Sequence, residues 1–158
     1  MKRVLVLGGK GMLGHIVVKT LSGLQEIKVE CTVKGDGDSP FYFNVENGID
    51  QLHKIIKSHG DFDYIINCIG ILSNNIDERN SDSVRTAIFV NGMFPHDLKK
   101  LGSELGIQII HISTDGVFSK SAGLCYEDSL QSCEDIYGKT KSIGEGYSPN
   151  LLNIRCSI

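Results

Sequence analysis

With 158 residues and a net charge of −3, the chain is long enough for one domain that buries roughly 70% of its unfolded surface, and it lacks the basic footprint of a nucleic-acid binder. Its 41% hydrophobic and 22% charged residues are the proportions of an ordinary globule. The apolar run Val4–Leu7 falls short of the seven or so residues of a signal-peptide core, and no stretch approaches the roughly 18 apolar residues of a membrane span.

Val4 to Leu7 reads as a strand covered on both faces, and it runs directly into Gly8-Gly9-Lys10-Gly11-Met12-Leu13-Gly14. Leu13, Ile16, Val17 and Leu21 then recur at helical spacing as far as Gly23. Ile27 to Val33 reads as a second strand, residues 35–40 as a loop, and Phe41 to Val45 as a short third strand. A helix with Ile49, Leu52, Ile55 and Ile56 on its apolar face ends at Gly60, and a fourth strand spans Tyr64 to Gly70. After a polar loop over Ser73–Ser81, a long helix is expected from about Asp82 to Leu105, kinked or interrupted by Pro95 and capped by Gly106. Ile107 to Ile112 is the fifth strand. Residues 113–135 carry little regular pattern, and a loop of that length in a domain is usually functional. A helix over Ile136–Tyr147 and a sixth strand over Leu151–Cys156 complete the chain.

Strands and helices alternate with no hairpin signal, which implies βαβ units and an α/β fold. The expected architecture is a doubly wound, Rossmann-like parallel sheet in the order 3-2-1-4-5-6, with helices on both faces.

Gly9 to Gly14 fits G-x-G-x-x-G, and Gly8, Gly11 and Gly14 fit a wider glycine repeat, in the strand–turn–helix context that gives the pattern meaning. Glycine there permits a tight turn and a close backbone approach. The free N–H groups and positive end of the following helix then suit a pyrophosphate. At the end of the second strand, the position that would carry a ribose-binding carboxylate is not acidic. Lys34 can instead meet a 2′-phosphate, which favours NADP(H), while Asp36 and Asp38 keep NAD(H) open.

Tyr137 and Lys141 stand four apart on a helix, hence on one face. A nearby ammonium favours the phenolate, so the pair suits proton transfer, with the tyrosine's pKa expected to be lowered. Ser113-Thr114 ends the fifth strand, where a hydroxyl points into the cleft at the carboxyl edge of the sheet.

The five cysteines form an odd set without Cys-x-x-Cys, and Cys31, Cys68 and Cys156 fall in apolar runs. Free thiols in a reducing cytoplasm are expected. His15, His53, His59, His96 and His111 show no metal-ligand spacing, so no metal site is expected.

Taken together, the glycine turn, Asn67-Cys68-Ile69-Gly70, Val90-Asn91, Ile112 to Phe118, Tyr126-Glu127-Asp128, Tyr137 to Lys141 and Arg155 resemble the extended short-chain dehydrogenase/reductase family. Within it they resemble the dTDP-4-dehydrorhamnose reductases and related sugar-nucleotide reductases. The resemblance implies an NADP-preferring oxidoreductase that reduces the keto group of a nucleotide-activated deoxysugar, in polysaccharide biosynthesis. Tyr137 would be the general acid, Thr114 would hold the substrate carbonyl, and Lys141 would hold the nicotinamide ribose and lower the pKa of Tyr137. Gly8, Gly11, Met12, Leu13, Gly14, Lys34, Asn44, Val45, Asn67, Cys68, Gly70 and Asn91 would form the cofactor site, Asn91 with a structural leaning. Gly116 stands where the family usually has an aromatic residue, and Asn44 where it often has an acidic one. The family's chains run to nearly twice this length, so residues 1–158 are expected to be the NAD(P)-binding domain without its C-terminal substrate region, and to keep cofactor binding better than turnover. The implied partner is a small nucleotide-sugar, with neither nucleic acid nor membrane, and a homodimer is left open. The alternatives are an NAD-dependent epimerase or dehydratase on the same scaffold and a non-catalytic NADP-binding module.

Overall fold

In the computed structural model, which describes residues 1–35 and 38–157, five parallel strands form one sheet in the order β2-β1-β3-β4-β5. The strands are β1 (Lys2–Leu7), β2 (Ile27–Cys31), β3 (Tyr64–Asn67), β4 (Gln108–Thr114) and β5 (Leu151–Cys156). The helices are α1 (Met12–Ser22), α2 (Ile49–His59), α3 (Ser81–Ala87), α4 (Phe94–Leu105) and α5 (Ile136–Gly144). Among the described residues no helix is long and apolar enough to cross a membrane.

Side chains alternate across each strand. Leu5, Leu7, Ile65 and Ile109 point to one face and join Leu52, Ile55 and Ile56 of α2 and Phe94, Leu98 and Leu101 of α4 in the main core. Val4 and Val6 point to the other face, where α1 packs against β1 and β2. On that second face Leu152 and Ile154 of the edge strand β5 are exposed, while Leu151 on the first face packs against the core.

The expected third strand is corrected. Phe41–Val45 forms only one parallel bridge, Val33 to Tyr42, outside the sheet proper. The reason is local competition. The Gln51 side chain of α2 donates to the Tyr42 carbonyl and accepts from the Asn44 N–H, and the Asn44 side chain accepts from Glu46 N–H to start a short 3₁₀ turn. These bonds use backbone groups that a ladder needs. The remaining strand order is the expected one without its outermost member.

The long helix is continuous but changes pitch. Between α3 and α4, residues Ile88–Met93 form a π-helical segment in which the Phe94 N–H reaches back to the Phe89 carbonyl. Pro95 therefore falls in the first turn of α4, where its missing N–H is tolerated. Gly106 closes α4 in the left-handed conformation with φ 70°.

Candidate active site

The turn after β1 is shaped by two glycines. Gly8 has φ +78° and its N–H donates to the Thr32 hydroxyl at 3.1 Å, while the Gly9 N–H donates to the Thr32 carbonyl at 3.0 Å. Gly14 lies against this turn so closely that a Cβ there would stand 2.1 Å from the Gly8 carbonyl oxygen. Gly11 begins α1, with no side-chain cap and no acidic residue in the first turn. The open N–H groups of that turn are thus free to meet an anion.

Two cavities meet at this turn. The larger, of about 510 Å³, runs from Gly8 and Gly11 past Thr32, Val33 and Lys34 to Asn44, Val45 and Glu46, with Cys68, Gly70 and Val90 along the opposite wall. The smaller, of about 130 Å³, continues from Gly11, Met12 and Leu13 to Ser113, Tyr137 and Lys141. Both are lined by Gly11 and by the strip Cys68–Ile71, so they form one trough along the carboxyl ends of β1, β3 and β4.

Of the expected cofactor residues, Gly8, Gly11, Met12, Leu13, Lys34, Asn44, Val45, Cys68 and Gly70 line this trough. Gly14 shapes it from beneath. Asn67 and Asn91 are fully buried and line neither cavity. The Asn67 amide donates to His111 Nδ1 at 3.1 Å and accepts from the Ile69 N–H, which fixes the start of the lining strip. The Asn91 side chain accepts from the Ile71 N–H at 2.8 Å and donates to the Ile71 carbonyl and the Thr140 hydroxyl. Lys34 is exposed, and its ammonium stands 3.9 Å from the Glu46 carboxylate. Asp38 is exposed on the following turn, and Asp36 lies outside the described residues. Thr32 and Ile71 line the trough without having carried any sequence signal, because backbone approach and apolar walls leave no motif.

The Tyr137 end of the trough is built by α5. The Asp135 side chain caps the helix by accepting from the Gly138 N–H at 2.6 Å. A Cβ on Gly138 would lie 2.4 Å from the Gly116 carbonyl oxygen, so only glycine lets the helix press onto the turn after β4. That contact brings Tyr137 beside Thr114. Lys141 is 4% exposed, and its ammonium donates to the Ile112 carbonyl at 2.6 Å. Burial lowers its pKa to about 8.

One electrostatic expectation is reversed. Burial raises the pKa of Tyr137 above its ordinary value, with the Thr114 hydroxyl only partly offsetting it. The Lys141 ammonium is directed to the Ile112 carbonyl. The phenol is therefore held in its protonated form, the form a general acid requires.

His111, beneath Asn67, is fully buried, and its Nε2 has no hydrogen-bond partner among the described residues. Burial drives its pKa from 6.5 to about 3, so it is neutral in the fold. The stability this represents is complete above pH 6.5 and is lost as pH falls toward 3, because only the unfolded chain takes up the proton in that window. Urea unfolding should show the protein losing about 2 kcal/mol between pH 6.5 and pH 5, and His111→Gln should lack that loss. The carboxylates with lowered pKa values, Glu30, Asp63 and Glu145, titrate below this interval.

The parallel sheet and the glycine turn opening α1 are those of a Rossmann-like domain, with Tyr137 and Lys141 on the same cleft. The chain belongs to the RmlD substrate binding domain family, whose sequence model matches residues 1–152. It is 31% identical over 151 residues to a dTDP-4-keto-6-deoxy-D-glucose reductase of Streptomyces niveus, a match covering 95% of this chain and 48% of that protein. It is 30% identical over 159 residues to a probable low-salt glycan biosynthesis reductase of Haloferax volcanii, covering 96% of this chain and 52% of that one. The crystal structure of a dTDP-4-dehydrorhamnose reductase from Clostridium acetobutylicum superposes with a TM-score of 0.75 at 26% identity, over 97% of this chain and 52% of that chain. The chain thus spans about half the length of the curated relatives it matches.

Proposed function

We propose that residues 1–158 form the NAD(P)-binding, proton-donating part of a reductase acting on the keto group of a nucleotide-activated deoxysugar, with NADPH the preferred reductant. The observation that carries this reading is the continuous trough joining the glycine turn and Lys34 at one end to Tyr137 and Lys141 at the other.

The trough suits a dinucleotide. The N–H groups at the start of α1 would hold the pyrophosphate, and Lys34 would meet a ribose 2′-phosphate. Gly70 lines the middle of the trough, next to Asn91 Oδ1 and Lys141 Nζ. A reduced nicotinamide held by these residues would supply hydride to the keto carbon. Tyr137 gives its proton to the carbonyl oxygen as charge develops there, and Thr114, which stands beside it, orients that oxygen by hydrogen bonding. Lys141 donates one proton to Ile112 and has others free for a ribose hydroxyl. The reductases among the relatives of this chain support the same reading.

A thermal-shift titration tests it. NADPH at a hundred times its Kd should stabilise the fold by about 2.7 kcal/mol, with a smaller shift for NADH at equal concentration. A larger shift with NADH would overturn the role of Lys34 and favour the epimerase or dehydratase reading. No shift with either would overturn the cofactor site.

A further inference from the structure

Glu145 closes α5, two turns beyond Tyr137 and one beyond Lys141 in the same i, i+4 row. Its side chain is 5% exposed, yet it carries a charge. Its carboxylate accepts from the Ser113 hydroxyl at 2.5 Å, from the Gln131 amide at 2.6 Å, and from Arg155 Nε at 2.9 Å and Nη2 at 2.7 Å. Each donor belongs to a different piece of the site: Ser113 immediately precedes Thr114 on β4, Gln131 is in the long loop, and Arg155 is on β5. Arg155 extends the hold on that loop. It donates to the Glu127 carbonyl at 2.9 Å, and its guanidinium lies 5.0 Å from the centre of the Phe118 ring. Gln131 is itself held by the Ser142 hydroxyl of α5.

We propose that Glu145 is a positioning residue of this site, locking the 118–131 loop and the ends of β4 and β5 to the helix that carries Tyr137 and Lys141. The inference rests on the reductase reading for its catalytic consequence, but the lock is a property of the fold. The contacts of Gln131, Glu127 and Phe118 converge on one carboxylate, directly or through Arg155, with Ser142 of α5 as a second hold on Gln131. Removing the charge would leave Arg155 without its ion partner and release the loop beside Tyr137. The carboxylate also favours the charged form of Lys141, against its burial. The other titratable groups facing that ammonium are Cys68 after β3, His111 on β4 and Cys156 on β5.

The test compares the protein with Glu145→Gln, which preserves shape, and with Gln131→Ala, which cuts one mooring from the loop side. Three quantities are measured: NADPH affinity, kcat against pH with a dTDP-linked 4-keto-6-deoxy sugar, and hydrogen exchange of the 118–133 segment. In Glu145→Gln, exchange of that segment should quicken at least tenfold with β1 unchanged. Its kcat should fall at least tenfold with NADPH affinity held within twofold, and its alkaline decline should move to lower pH. Gln131→Ala should quicken exchange in the same segment by a smaller factor at an unchanged melting temperature. Exchange quickened evenly across the sheet, or an unaltered 118–133 segment in both variants, would overturn the lock. A locally released loop with unchanged kcat and pH profile would overturn the catalytic consequence. Absence of NADPH binding in the parent protein would count against the reductase reading, while the exchange measurement still decides the lock.

Discussion

Replacing Tyr137 with phenylalanine should lower turnover of a nucleotide-linked keto sugar by about 10²–10⁴-fold, the range that a positioned general acid contributes. The substitution removes one oxygen from a half-buried ring on a helix whose cap, Asp135, is untouched. NADPH affinity should therefore stay within about twofold, so that kcat falls and cofactor binding does not. Burial raises the pKa of the phenol, so on the proposed reading the parent protein should reduce readily at neutral pH, while the reverse oxidation should accelerate as pH rises. Steady-state kinetics in both directions, with a fluorescence titration of NADPH, checks these outcomes. Turnover undiminished in Tyr137→Phe would remove the tyrosine from the chemistry.

Gly14→Ala should abolish most dinucleotide binding. The added carbon would stand 2.1 Å from the Gly8 carbonyl oxygen and 2.8 Å from its carbon, both backbone atoms that no rotamer change can move aside. The start of α1 must then lift from the turn, and the N–H groups facing the trough lose their alignment. Kd for NADPH should rise at least tenfold, with a stability loss of about 1–3 kcal/mol, the usual cost of an overpacked contact. Gly23→Ala is the control. Its added carbon would come no nearer than 3.4 Å to the Thr20 carbonyl oxygen, with a negative φ that alanine adopts freely. It should leave both quantities close to those of the parent. Titration of NADPH and urea unfolding of the two variants separates a local clash from a general intolerance of substitution.

What could be read from the sequence depended on the range of the interactions. β1, β4 and β5 announced themselves as apolar runs, and the Tyr137–Lys141 spacing placed both side chains on one face before any tertiary contact was known. Phe41–Val45 had the same apolar look as a strand, but the side chain of Gln51 took the groups that pairing required. Pro95 suggested a kink or break, whereas the helix runs on past it after a π-helical widening over Ile88–Met93. The direction of the Tyr137 shift was out of reach because it follows from burial, which belongs to the packed molecule. Glu46, which faces Lys34, and Glu145, whose partners lie 10 to 32 residues away, carry no local pattern at all.

The bonds of Asn91 have a thermodynamic consequence for the trough. One amide ties Ile71, on the wall shared by both cavities, to Thr140, the residue before Lys141. The wall and α5 are thus braced to each other by the protein's own bonds. On the proposed reading, a dinucleotide entering such a trough would find its two sides already tied together. Less of its binding free energy would be consumed in ordering the protein, and more would remain as affinity.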